Sequence, residues 1–169
     1  MPNGVNQLDF MGRNILHEAF SERWVPNNWL FVYMIKILGL NCNHQDNYHG
    51  DTPIHVLCLC KEVDDDNISS CHKDAFKKLQ KNGVNFNITN TDGWTPLHAA
   101  CYGQNYNVVK LLLEINNICA TYKTLKAGNT AFHYLFKISD LHLFYHSVKL
   151  IETVKDFLKN YPFAIFQKK

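Results

Sequence analysis

Nine histidines and six cysteines give this 169-residue chain the raw material for metal or proton chemistry. Four of the histidines, His17, His55, His98 and His133, close copies of one six-residue motif. Each holds the same place in its own copy, so stacked copies would set the imidazoles in a row and not converge them on one ion. Cys58-Leu59-Cys60 with Cys71-His72 offers four possible zinc ligands. The spacing is not the Cys-x₂-Cys pair of zinc ribbons, and side chains two apart on a helix diverge. His142 and His146 stand four apart, but a helix junction is expected between them. Asp64-Asp65-Asp66 reads as a solvated loop insertion. No Gly-x-Ser-x-Gly elbow, Gly-x-x-x-x-Gly-Lys loop or His-Glu-x-x-His helix occurs. A Cys–His dyad needs only closeness in space, which sequence leaves open. The expectation is a non-enzyme without metal or cofactor.

The elements that would carry these residues follow from the motif. Its copies are Gly12-Arg13-Asn14-Ile15-Leu16-His17, Gly50-Asp51-Thr52-Pro53-Ile54-His55, Gly93-Trp94-Thr95-Pro96-Leu97-His98 and Gly128-Asn129-Thr130-Ala131-Phe132-His133. Glycines and histidines advance together, by 38, 43 and 35 residues. In the motif, Gly permits a positive-φ turn, Thr caps the orphan amides of a helix start, and Pro at the first helical position loses nothing by lacking an N–H. The first copy has Asn14 and Ile15 for Thr and Pro, which predicts a less firmly set turn. Second helices announce themselves by apolar stripes: Leu30, Met34, Ile35 and Leu38; Val108, Leu111, Leu112 and Ile115; Val148, Ile151, Val154, Phe157 and Leu158. The last predicts a helix over 147–160, ending before Pro162.

The third copy runs on through Ala99-Ala100 to Val108-Val109-Lys110-Leu111-Leu112-Leu113-Glu114, and here the chain resembles the ankyrin repeat family. The resemblance implies an all-α repeat solenoid of helix-turn-helix units joined by β-hairpin-like fingers. The approximate units are 8–42, 43–87, 88–120 and 121–162, with a possible further finger at 162–169. The intervals exceed the family's roughly 33-residue unit by about 5, 10 and 2 residues. The excess is expected in longer connections, at Ser21 to Asn28, where Asn27 or Asn28 could cap a helix, and at Lys61 to Ser70. Gly83 to Gly93 matches the family's inter-repeat finger without a gap. Tyr161 to Lys169 reads either as the first limb of another finger or as a folded-back cap. The resemblance gives the motif histidines a structural job, bonding across their own turn and to the neighbouring unit. Cys58, Cys101 and Cys119 fall where the family has small buried residues, and no disulfide framework is expected. Leu79 to Asn87 resembles the finger in which an asparaginyl hydroxylase modifies the final Asn, but Asn85 stands where its substrates carry an acid, so weak or no modification of Asn87 is expected.

Composition narrows the partners. A hydrophobic content of 46% supplies an elongated core, and a net charge of +2 gives no electrostatic case for nucleic acid. No apolar run reaches the roughly 18 residues that span a bilayer, and Met1-Pro2-Asn3-Gly4 does not open a signal peptide. A soluble intracellular monomer that takes no small-molecule substrate is expected.

Surface remains. In ankyrin arrays the fingers and first helices line the concave side, which sets Arg13, Asp51, Trp94 and Asn129 in a row. Tyr48 on the preceding finger and Tyr102 on the third unit's first helix stand near Trp94. Trp and Tyr offer large contact area with few rotors, so an exposed Trp94 would anchor a protein partner. The function expected is protein binding, as a pathogen effector or effector domain acting on a host protein in cytoplasm or nucleus. One alternative is a viral protein resembling the inhibitor of NF-κB. Another is the targeting arm of an enzyme whose catalytic domain follows Lys169.

Overall fold

The computed structural model describes residues 7–21, 33–37, 39–60, 76–136 and 144–162. The labelled helices are α1 (Ile15–Ser21), α2 (Pro53–Leu59), α3 (Pro96–Tyr102), α4 (Tyr106–Leu113), α5 (Ala131–Leu135) and α6 (Phe144–Asn160). A π-helical turn at Tyr33–Ile37 and a helical stretch at 76–81 accompany them. The motif helices α1, α2, α3 and α5 stack side by side, and α4 packs on both α3 and α6 in a second layer. The array is all-helical, with no strand among the described residues. Each finger is instead a turn closed by short backbone bonds, Asp46 N–H to Asp51 C=O at 2.9 Å and Asn90 N–H to Trp94 C=O at 2.9 Å.

The motif builds each helix start as its chemistry requires. Thr95 Oγ1 accepts the His98 N–H at 3.4 Å, Pro96 fills the first helical position, and the His98 ring turns back so that Nδ1 accepts the Thr95 N–H at 3.1 Å. This is a capping box with His in place of Glu or Gln. Thr52 with His55 and Thr130 with His133 repeat the ring bond, each with Oγ1 2.8 Å from Nδ1. Expectation and structure differ at the first copy. Asn14 caps it, its Oδ1 accepting the Leu16 N–H at 3.1 Å while its Nδ2 donates to the Asn41 carbonyl at 3.0 Å. The amide oxygen supplies the cap that the missing hydroxyl would have given. Gly93 is obligatory: its φ is +78°, and a Cβ there would lie 2.9 Å from the Leu125 backbone nitrogen.

One continuous core threads the units, with Leu16, Ile54, Leu97 and Phe132 at the same motif position in all four. In α4, Val108 and Leu112 are buried as the stripe required; Tyr106, Val109 and Leu113 join them, and Leu111 and, just past the helix end, Ile115 are half-buried. Helix α6 starts three residues earlier than expected and buries Thr153 and Phe157. Ile151 is exposed, because the face that meets α4 runs through Leu150, Val154 and Phe157. Met34 is buried. Leu30, Leu38, the insertions expected after Ser21 and at 61–70, and the tail after Pro162 lie outside the described residues.

Candidate partner-binding surface

The motif histidines fasten one unit to the next. Nε2 of His17 lies 3.0 Å from the Asp51 carbonyl, that of His55 3.0 Å from the Trp94 carbonyl, and that of His98 3.3 Å from the Asn129 carbonyl. Each acceptor is the residue after the next unit's motif glycine. Since Nδ1 of His55 and His98 already accepts a threonine N–H, the neutral ring with its proton on Nε2 fits these contacts. Burial pushes all three below the usual histidine range, His98 to about 4.

Two further kinds of bond cross the joints, the first at all three and the second at the later two. The carbonyl before a motif glycine accepts a finger N–H of the next unit: Met11 from Asn47 at 2.8 Å, His49 from Thr91 at 2.9 Å, Asp92 from Leu125 at 2.9 Å. Asparagine side chains clamp the fingers. Asn43 donates to the Gly83 carbonyl at 3.1 Å and accepts the Asn85 N–H at 2.9 Å; Asn87 does the same with Asn117 at 2.8 Å and Cys119 at 2.9 Å.

This framework sorts the six residues expected to bind a partner. Tyr48 and Tyr102 are 67% and 49% exposed. Tyr48 packs edge-on against His49 of its own finger. Trp94 is half-buried: its ring meets Tyr102 at 5.1 Å and Tyr134 at 4.7 Å between centroids. The indole is therefore one wall of an aromatic cluster and not a free-standing anchor. Asp51 is a correction. Its side chain is buried against the next finger, where its carboxylate accepts from Asn90 Nδ2 at 2.8 Å, so it offers nothing to a partner. Arg13 is held by Asp9 at 2.7 Å and Glu18 at 3.1 Å. Asn129 is partly exposed, with its N–H on Thr124 Oγ1 at 3.2 Å.

Sequence reasoning missed Tyr134, which follows the last motif histidine where the third copy has Ala99. It reaches back across the joint to Trp94, Tyr102 and His98. An aromatic at that one variable position was the available signal.

The described cysteines, Cys42, Cys58, Cys60, Cys101 and Cys119, are free thiols. Cys58 and Cys101 are fully buried, and burial raises both far above the usual thiol range. Cys60 instead donates to the Phe20 carbonyl at 3.2 Å, and Cys119 is only half-buried, not enclosed as expected. Cys71, His72, Asp64 to Asp66 and His142 lie outside the described residues, and the side chain of His146 is likewise not described. Among the described residues no three His, Cys, Asp or Glu side chains are placed to share a metal ion, and no helix is long and apolar enough to cross a membrane.

Comparison with known proteins agrees with this geometry. Residues 67–139 match the family model described as ankyrin repeats (3 copies). The chain is similar to mouse protein phosphatase 1 regulatory subunit 12A, 30% identical over 71% of this chain and 12% of that protein. It is also similar to human transient receptor potential cation channel subfamily A member 1, 28% identical over 75% of this chain and 10% of that one. Human NF-kappa-B inhibitor zeta is 28% identical over 83% of this chain and 22% of its own length. The chain thus spans only a small part of the relatives it matches.

Proposed function

Because the chain is an ankyrin repeat protein, and such arrays serve as scaffolds for protein–protein interaction, we propose that it is a non-catalytic binding module whose finger and first-helix side grips a protein partner. The observation that carries this is the Trp94, Tyr102 and Tyr134 cluster at the joint of the third and fourth units. Tyr102 is 49% exposed and Trp94 partly so, both braced by the buried Tyr134, and aromatics fixed by ring contacts present area at little entropic cost, which is the character of an interface hot spot. Tyr48 and Asn129 extend the surface to either side; Arg13 contributes through the aliphatic part of its ion-paired side chain. The partner we infer is a host protein met in the cytoplasm or nucleus, the chain acting as a pathogen effector. Affinity capture from host-cell lysate with the wild type and Tyr102→Ala in parallel tests this. A protein retained by the wild type and lost with the variant supports the reading; identical retention by both refutes this surface.

A second reading is favoured by the likeness to NF-kappa-B inhibitor zeta, which runs over 83% of the chain. On that reading the partner is a transcription factor of the NF-κB class. Titrating the purified Rel-homology region of such a factor into the chain separates the two. Saturable binding below about 1 μM selects the second reading, and no heat or shift at that concentration removes it.

A further inference from the structure

The Trp94, Tyr102 and Tyr134 rings touch and leave no hollow between them. Trp94 meets Tyr102 at 5.1 Å and 67° and Tyr134 at 4.7 Å and 45°, and the two tyrosines stand 6.0 Å apart at 76°, so the rings tile a shallow, angled shelf. A long anchoring side chain has nothing there to enter. Leu59, which holds the place of Tyr102 in the second unit's motif helix, is 38% exposed, and Val56 beside it is half-buried, which carries the shelf toward that unit. Gly103 lets the ends of α2 and α3 close up, since a Cβ there would lie 3.0 Å from the Leu59 carbonyl oxygen.

Charge is missing from the helices that bear this shelf. Pro53–Leu59, Pro96–Tyr102 and Ala131–Leu135 carry no Asp, Glu, Lys or Arg, and on the flanking fingers Asp92 and Lys126 neutralise each other at 2.6 Å. A charged segment laid here would lose water and find no counter-charge, so the complementary segment is an uncharged one. One polar group is left over. Trp94 Nε1–H, on a half-buried ring, donates to no acceptor among the described residues, where an enclosed indole N–H usually finds one.

We propose that the shelf takes a proline-rich segment of the partner in the polyproline II conformation, its pyrrolidine rings laid on Trp94, Tyr102 and Leu59 and one of its carbonyls accepting from Trp94 Nε1–H. This rests on the protein-binding reading of the same cluster and names the class of segment bound. A polyproline II chain has no internal hydrogen bonds, so its carbonyls are free to accept, and its stiffness leaves little entropy to lose on a surface too shallow to hold a mobile chain. An amphipathic helix, by contrast, needs a groove for its spaced anchors, and rings in mutual contact do not form one.

NMR of the full chain labelled at nitrogen tests this through its three indole N–H signals, from Trp24, Trp29 and Trp94. Trp94→Phe identifies the third by its loss. The probe is a peptide of about ten prolines, roughly 30 Å long, with a Gly-Ser peptide of equal length as control. The Trp94 signal should move saturably with the proline peptide, half-saturating below about 1 mM, and stay still with the control. Followed by its backbone signals, Trp94→Phe should bind about five-fold more weakly, the worth of one hydrogen bond, and Tyr102→Ala should not saturate. A Trp94 signal that stays still with the proline peptide overturns the proposal. So does equal movement with Gly-Ser, movement with an amphipathic helical peptide alone, or undiminished affinity in Trp94→Phe. If Tyr102→Ala loses the partner captured from lysate while the proline peptide moves nothing, the binding face stands and only its proline-rich occupant is wrong.

Discussion

The His98 ring is buried, with its Nδ1 accepting the Thr95 N–H and its Nε2 facing the Asn129 carbonyl. Burial penalises the charged ring and holds His98 neutral down to about 4, and it lowers His17 and His55 in the same direction. The unfolded chain takes up these protons near pH 6.5. Stability is fully present above that pH and is lost as the pH falls toward 4, since the unfolded state binds more protons across that window. His98 alone contributes roughly 3 kcal/mol to the difference. Urea midpoints measured from pH 7.5 to pH 4.5 should fall steadily below about pH 6.5; a flat profile would mean that these rings take their protons inside the fold. Asn87 belongs to the same scale. Its amide is engaged at both ends, by the Asn117 carbonyl and the Cys119 N–H. Intact-mass analysis after expression in animal cells should show no added oxygen on Asn87, and stoichiometric addition would contradict that.

Apart from α6 the labelled helices are short, so single polar clamps weigh heavily on them. Asn105 is fully buried between two units: its Oδ1 accepts the Val108 N–H at 3.3 Å to cap α4, and its Nδ2 donates to the Cys60 carbonyl at 2.9 Å at the end of α2. Asn105→Ala should lower stability by about 2 kcal/mol, through a lost cap and an orphaned carbonyl, as read from a urea melt. A loss under about 0.5 kcal/mol would show that water replaces the amide. The motif helices were legible because glycine, cap, proline and histidine act within six residues of one another. The inter-unit clamps were not. Asn43, Asn87 and Asn105 reach partners 30 to 45 residues away, and the uneven spacing of the units hides which residues come into register. Asp51 shows the cost: its place after the glycine suggested an open surface position, but Asn90 of the next finger takes its carboxylate. Tyr134 was missed for the same reason, since its ring serves the preceding unit.

The whole molecule is a stack in which each joint both fixes the fold and shapes the surface, so folding and binding variants must be told apart. Gly93→Val should destabilise strongly, because a branched side chain at φ +78° would strain the turn and press on the Leu125 backbone. Its thermal midpoint should fall well below that of Trp94→Ala, which loses one half-buried ring's packing, about 1 kcal/mol. The central claim is that the aromatic cluster binds the partner. Its most direct test is calorimetric titration of the captured partner with wild type, Trp94→Ala, Tyr102→Ala and, on the outer helix layer, Glu114→Ala. Trp94→Ala and Tyr102→Ala should each weaken binding by about 2 kcal/mol or more while remaining folded at the titration temperature, and Glu114→Ala should leave it within about 0.5 kcal/mol. Unchanged affinity in both aromatic variants, with a lower melting point for Trp94→Ala, would make the cluster a packing device and contradict the account.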